Sequence, residues 1–321
     1  MGQKSRWRAL RESLLAWFDT SVVDLQGQTH AKRIDWLRTL PFVAMHLACL
    51  AVIWVGWSPV AVAVAALLYL LRMFAITGFY HRYFSHRSFK TSRTVQFVFA
   101  LIGAASAQRG PAWWAAHHRH HHATTEREDD PHSPVHHGLL WSHTGWFLSR
   151  EHFPVQTARV RDWQAYPELR FLDRYDIVAP AALALVLYLF GVALEAWVPQ
   201  LGTSGGQMLV WGFFISTVVL YHGTFTINSL AHRWGTRRYD TPDNSRNNLL
   251  LALLTLGEGW HNNHHHYPAS VRQGFYWWEI DITYYLLRGM SAMGLIWDLK
   301  PVPVKRRESG LINDKRRNTF K

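Results

Sequence analysis

PVAVAVAALLYLLRMFAITGFYHRYFSH (59–86) is almost unbroken apolar chain from Pro59 to Tyr80, and it ends on two histidines, His81 and His86. A helix of that length crosses roughly 30 Å of hydrocarbon. Helices of a soluble bundle carry a polar stripe, whereas the apolar block 59–80 holds no charge except Arg72. Three further blocks read the same way, at 40–57, 177–198 and 207–227, and Glu195 is the one other charge inside the four. The first two are joined by little more than Ser58 and Pro59, the last two by PQLGTSGG (199–206). The expectation is an all-α integral membrane protein: four transmembrane helices in two hairpins under a helical cap that carries the histidines.

Charge sets the orientation. Of 34 Lys and Arg in the 321 residues, seven precede the first block, twelve lie between 81 and 175, and fourteen follow 228. The positive-inside rule then places both termini, the middle segment and the histidines in the cytoplasm. A formal charge of +12 raises the question of nucleic acid, but these cations flank spans and suit an anionic lipid surface or head group better. SRWRALRESLLAWF (5–18) shows no cleavable signal. It sets Trp7, Leu10, Leu14, Trp17 and Phe18 near one helical face beside Arg6, Arg8 and Arg11, so residues 1–39 are expected to include an interfacial helix. Residues 40–303 form the membrane domain, and the polar, basic, aperiodic tail 304–321 is expected to be disordered. Cys49 is alone, which excludes disulfides and cysteine-ligated clusters within one chain.

Nine of the 20 histidines fall in four motifs: HRYFSH (His81, His86) where the second block ends, HRHHH (His118, His121, His122) in the middle segment, NSLAH (Asn228, His232) where the fourth block ends, and HNNHH (His261, His264, His265) beyond it. Positions i, i+3 and i+4 share a helix face, so each HxxHH set can converge, and Asn228 and His232 do so on an extension of the fourth span. The i, i+5 pair His81 and His86 would point about 140° apart on an α-helix, so the helix is expected to end or tighten there. Nine imidazoles and one amide suit two first-row ions, and imidazole alone does not choose among zinc, copper, iron and nickel. His117, His120 and His266 break the pattern and read as structural neighbours.

HRYFSH, HRHHH, NSLAH and HNNHH in this order, with ITGFYHRYFSHRSFK (76–90), DPH (130–132), SRNN (245–248) and LGEGWHNNHHHYP (256–268), resemble the membrane fatty acyl desaturases, in particular the stearoyl-CoA desaturase-like branch. The resemblance covers about residues 40–303. It implies two irons held by His81, His86, His118, His121, His122, His232, His261, His264 and His265, with Asn228 completing one shell through a water. It also implies dioxygen as co-substrate, and a cis double bond placed between carbons nine and ten of a long saturated acyl chain. Zinc can take such a site in overexpressed protein. Glu126, Asp129, Asp130 and Glu258 lie close enough in sequence to orient imidazole N–H groups.

Every methylene of the chain is chemically alike, so regiochemistry must come from how the chain is held. By resemblance, Gln108, Trp114 and Thr224 surround the kink of the substrate tunnel, and Tyr69 and Met73 stand at its closed end. Animal relatives carry an Arg-Asp pair that contacts CoA where this chain has Ala116 and His117. Acyl-CoA is the first carrier by family branch and acyl-lipid the second, with Arg150, Arg159 and Arg161 available to a head group. Electrons must come from a separate ferredoxin, rubredoxin or cytochrome with its reductase, for which a basic face is a docking surface. A related di-iron hydroxylase is the nearer alternative. A non-enzymatic metal-binding or transport protein is the remoter one, since a transporter would set ligands along the spans. Met73→Ala is expected to lengthen the preferred acyl chain beyond the sixteen- to eighteen-carbon range, read from product chain lengths by mass spectrometry; an unchanged profile removes Met73 from the tunnel end.

Overall fold

Among the described residues, four helices are long and apolar enough to cross a membrane: Trp36–Val55, Pro59–Ser85, Val178–Trp197 and Gly205–His232. The computed structural model describes residues 7, 11, 14–22 and 34–312, so the interfacial helix expected near the N-terminus lies largely outside the described residues. Three of the spans open on a side chain that takes up N–H groups the helix leaves unpaired. Asp35 accepts from Arg38 N at 3.3 Å, Ser58 from Ala61 N at 3.1 Å, and Ser204 forms a reciprocal box with Gln207.

The chain divides into two compact units, one of residues 1–72, 100–113 and 147–221, the other of 73–99, 114–146 and 222–321. The core of the first unit is Ala61, Leu187, Met208 and Phe213. The third and fourth spans approach closely because Gly191 faces Gly205: a methyl on Gly191 would lie 2.7 Å from Gly205 Cα and 2.8 Å from Met208. The two hairpin tips are tied together by Ser58 and Thr203 hydroxyls 2.9 Å apart and by Trp211 Nε1 donating to Gly56 O at 2.9 Å. Ile53, Trp54, Leu67, Leu185 and Val186 are exposed, as a surface facing acyl chains requires.

Arg72, the charge inside the second span, is buried in the first unit. Its guanidinium donates to Leu68 O (3.2 Å), Ala105 O (3.1 Å), Thr217 Oγ1 (2.7 Å) and Ser216 Oγ. The cation thus joins the second span, the fourth span and the segment at 105 by hydrogen bonds that have no competitor in hydrocarbon.

In the second unit the spans outrun their apolar blocks. Every residue from Ala75 to Ser85 is buried, wound with i→i+5 hydrogen bonds. The helix does end within HRYFSH, at Ser85, but its last turns widen rather than tighten. His86 N bonds His81 O at 3.2 Å, and the two rings come within 4.9 Å. A wider turn brings the fifth residue nearly over the first, which an α-helix does not do. Phe79 anchors the segment, stacked 4.0 Å from Phe99 and edge-on to Phe89 at 5.5 Å. The fourth span does the opposite: its α-helix stops at Ser229 and Leu230–His232 tighten into a 3₁₀ turn. Asn228 and His232 accordingly do not continue one α-helical face.

The tail differs from expectation as far as it is described. Val304–Glu308 are helical, Leu311 bridges Tyr239, Ile312 N donates to Arg238 O at 3.0 Å, and Asp240 N donates to Gly310 O at 2.9 Å. These are backbone bonds, indifferent to the side-chain periodicity that the sequence lacked. Residues 313–321 lie outside the described residues. Arg72→Met is expected to lower stability by about 2–4 kcal/mol, because it strands two hydroxyls and a carbonyl; thermal unfolding in detergent should show a larger drop than for Ser216→Ala.

Candidate metal centre

Nine histidines of the second unit gather in two groups, each with its ligand atoms within 4.8 Å of one another: His81, His86, His118, His122 and His264 in one, and His121, His232, His261 and His265 in the other. The helix Pro111–Thr124 supplies His118 and His122 to the first group and His121 to the second, so a single turn serves both. Its position is fixed by Arg119, which donates to Phe84 O (2.7 Å) and Ser85 O (3.0 Å) at the end of the widened span. The short helix His261–His266 likewise gives His264 to one group and His261 and His265 to the other.

Its two asparagines explain the box. Asn247 Oδ1 accepts from both Asn262 N (3.0 Å) and Asn263 N (3.1 Å), closing the first turn. Asn262 Oδ1 accepts from Arg238 N and Tyr239 N, and Asn263 Nδ2 donates to Gln273 O and Glu279. Gly257, at φ +133°, lets LGEGW pass against Asp281 and Arg82 where a Cβ would collide.

Four carboxylates stand behind the rings. Glu258 takes His81 Nδ1, Asp130 takes His121 Nδ1 at 3.1 Å, Glu126 takes His232 Nδ1 at 3.2 Å, and Asp243 takes His265 Nδ1 at 2.7 Å. A carboxylate only accepts, so each Nδ1 carries the proton and each Nε2 keeps its lone pair. Asp130 and Asp243 are pushed up by burial but held well below the usual carboxylate range by their histidines. Glu258 is lowered too, by His81 and Arg82 against burial. Arg82 forms the next layer, bound to both oxygens of Asp281 (2.9 and 3.1 Å), to Glu258 at 3.0 Å and to Val271 O at 2.8 Å.

Burial, then neighbouring imidazoles, push His86, His118, His122, His261 and His264 well below the ordinary histidine value. Burial outweighs Asp243 at His265 and takes it down to about 4. At His121 burial is overcome by Asp130, which raises it. The Nε2 atoms nevertheless crowd together: His86 to His118 at 2.8 Å, His118 to His122 at 3.0 Å, His122 to His264 at 2.9 Å, His264 to His81 at 3.1 Å, and His232 to His261 at 3.0 Å. His265 Nε2 is buried without a hydrogen-bond partner. Two nitrogens bound to one ion at about 2.1 Å and at right angles lie about 3 Å apart, so the residues fit two first-row ions. His121, Asp130 and His132 could form a further grouping, but Asp130 is already committed to His121 Nδ1.

A fatty acid desaturase family model matches residues 56–298 of this sequence. The chain belongs to the fatty acid desaturase family. The desaturase is 36% identical over 271 residues to the sn-1 stearoyl-lipid 9-desaturase of Anabaena variabilis, with 84% of this chain and 94% of that protein covered. It is 33% identical over 315 residues to an acyl-CoA 5-desaturase of Anemone leveillei (92% and 91% covered), and 34% identical over 285 residues to delta-9 acyl-lipid desaturase 1 of Arabidopsis thaliana (88% of each). It is thus an enzyme, an oxidoreductase acting in lipid metabolism.

Other residues singled out by the sequence fall as follows. Asp129 does not back a histidine: the turn sends Asp130 inward and leaves Asp129 exposed, its backbone carbonyl taking His120 Nε2 at 3.1 Å. His266 stacks on Tyr239 at 4.0 Å and bonds Arg306 O, and His117 is buried against Trp146. Asn228 is half-buried at the end of the fourth span's α-helix. Trp114 stacks on His118 at 5.1 Å. Met73 and Gln108 are buried, and Tyr69 and Thr224 half-buried. Arg150 is half-buried, Arg159 bonds Gln156, and Arg161 is exposed. Sequence reasoning missed Asp243, Gln273 and Asp281. Neither Asp243, in the turn-rich TPDNSRNN, nor Gln273, bonded to Glu258 at 2.8 Å, carried a local sequence signal. Asp243→Asn in the desaturase is expected to weaken metal retention about 10- to 100-fold in the His121 group, so that metal analysis falls from two ions per chain toward one, while His266→Ala retains both.

Proposed function

We propose that the desaturase inserts a cis double bond between carbons nine and ten of a sixteen- to eighteen-carbon saturated acyl chain, using dioxygen and two electrons at a di-iron centre. The observation that carries this reading is the pair of imidazole groups, five and four strong, with a proton-accepting carboxylate behind each of His81, His121, His232 and His265. Iron, when bound, would supply the oxidising power needed to remove hydrogen from an unactivated methylene. The protein's part is to keep nine Nε2 lone pairs directed at two points and to exclude water. Neutral ligands leave the positive charge on the ions, and Glu126, Asp130, Asp243 and Glu258 offset it from behind the rings. Asn228 is read as completing the four-histidine group through a water, and Tyr69, Met73, Gln108, Trp114 and Thr224 as shaping the acyl tunnel. Carbons nine and ten are supported by the 9-desaturases among the relatives.

The sequence favours CoA as carrier, with Arg150, Arg159 and Arg161 toward its phosphates. One observation favours acyl-lipid instead. Ala116 and His117, which occupy the positions where animal relatives contact CoA, are both buried and present nothing to a soluble head group. The distribution of basic residues supports a cytoplasmic site and termini, and hence a soluble or peripheral electron donor with its reductase.

Expression in a host without 9-desaturase activity, followed by mass spectrometry with double-bond location, tests the reaction. A cis-9 alkene from wild type and none from His121→Ala is the expected result. A hydroxylated product indicates the hydroxylase reading, an alkene elsewhere overturns the regiochemistry, and an unchanged lipid profile overturns the enzyme reading. Isotope-labelled stearoyl-CoA and stearoyl-phospholipid, offered separately to membranes with reductant, decide the carrier.

A further inference from the structure

An open cleft of about 430 Å³ lies in the second unit, away from the histidines, and Arg272, Arg288 and Arg307 line it together with Tyr284 and Val271. No carboxylate lines it. Arg272 Nε and Arg307 Nε are buried without hydrogen-bond partners. Arg272 Nη2 is used on Tyr276 O at 2.7 Å and Arg288 Nη1 on Tyr284 Oη at 3.3 Å. Among the described residues the acid paired with one of these guanidiniums is Glu308, 3.6 Å from Arg307 and mostly exposed. Arg272 and Arg288 are held by neutral groups alone, so the three cations around the cavity repel one another, and an anion with several acceptor oxygens relieves that repulsion.

The surroundings say which anion. Tyr284, Arg288 and Ser291 of the helix Ile282–Ala292 face the cleft, while Tyr285 and Leu286 on its outer side are exposed. Trp277, 80% exposed, Trp278, Met293 and Trp297 are further exposed apolar side chains of the segments that flank this helix in the sequence. Lys90 pairs with Trp297 across the short antiparallel ladder. Aromatic rings and arginines side by side on a four-span protein are the composition of a surface lying at the level of lipid head groups.

We propose that this cleft binds the phosphate of an anionic phospholipid, with the tryptophan-rich rim seated in the membrane interface. The cleft is wired to the metal centre, since Val271 O accepts from Arg82 Nη1 at 2.8 Å and Arg82 holds Glu258. Its occupant therefore bears on the loop that also places Gln273 against Glu258.

The test is native mass spectrometry of the full chain, purified in neutral detergent and offered equal amounts of phosphatidylglycerol and phosphatidylcholine. Preferential retention of phosphatidylglycerol is expected. Arg288→Gln, on an exposed side chain that folding does not need, and Arg272→Gln should each weaken it about fivefold. Arg170→Gln, exposed on a helix of the first unit, should leave it unchanged. Equal retention of the two lipids, or equal loss with Arg170→Gln, overturns the proposal. So does displacement of phosphatidylglycerol by excess inorganic phosphate that binds with the same arginine dependence, which would assign the cleft to free phosphate.

Discussion

An imidazole whose Nδ1 proton is taken by a carboxylate keeps its Nε2 lone pair for something else, and in this protein His81 and His232, both so held, have Nε2 only 3.1 Å from His264 Nε2 and 3.0 Å from His261 Nε2. Two ring nitrogens at that distance need a proton or a cation between them, and a buried cluster of nine rings suits cations. The histidine-bearing unit is arranged to impose that geometry. Asp130, Asp243, Glu126 and Glu258 fix the rings from outside, and each carboxylate is itself held: Asp130 by Glu126 N, Asp243 by Ser245 N, Glu126 by Asn244, Glu258 by Arg82 and Gln273. Buried acids of this kind are tolerable because every oxygen has a donor.

The same economy appears in the helices. One turn of Pro111–Thr124 serves both metal groups, and so does one turn of His261–His266. Two short helices therefore set the separation of the two groups, and Arg119 and Asn247 set the helices. Arg119 acts on the backbone carbonyls of Phe84 and Ser85, and Asn247 on the backbone amides of Asn262 and Asn263. Residues inside or beside a motif thus divide between those that face the metals and those that hold the scaffold still.

Much of this was legible in the sequence. Four spans, their pairing and the histidine boxes follow from apolar length and from i, i+3, i+4 spacing, both of which are local. Asp130 and Glu258 were legible because they lie within a few residues of a box. Asp243 and Gln273 were not, because their partners are 22 and 15 residues away across turns that no periodicity describes. Asp129 was misread for a related reason: adjacent residues of a turn point in different directions, and sequence distance does not say which one faces in. Order in the described part of the tail, 304–312, was not legible because backbone pairing to Arg238 and Asp240 needs no hydrophobic pattern.

The widened stretch Ala75–Ser85 has a consequence for how such chains can change over time. On an α-helix each residue turns the chain by about 100°, so ordinary α-helical winding with the five-residue spacing kept would swing His86 about 140° from His81, away from His118, and leave the first group one ring short. With one residue fewer the pair would stand at i and i+4, which an α-helix does bring to one face. Spacing and winding therefore constrain each other here, and a change in either one alone is a harder step in descent than a substitution at Arg82, Tyr83, Phe84 or Ser85.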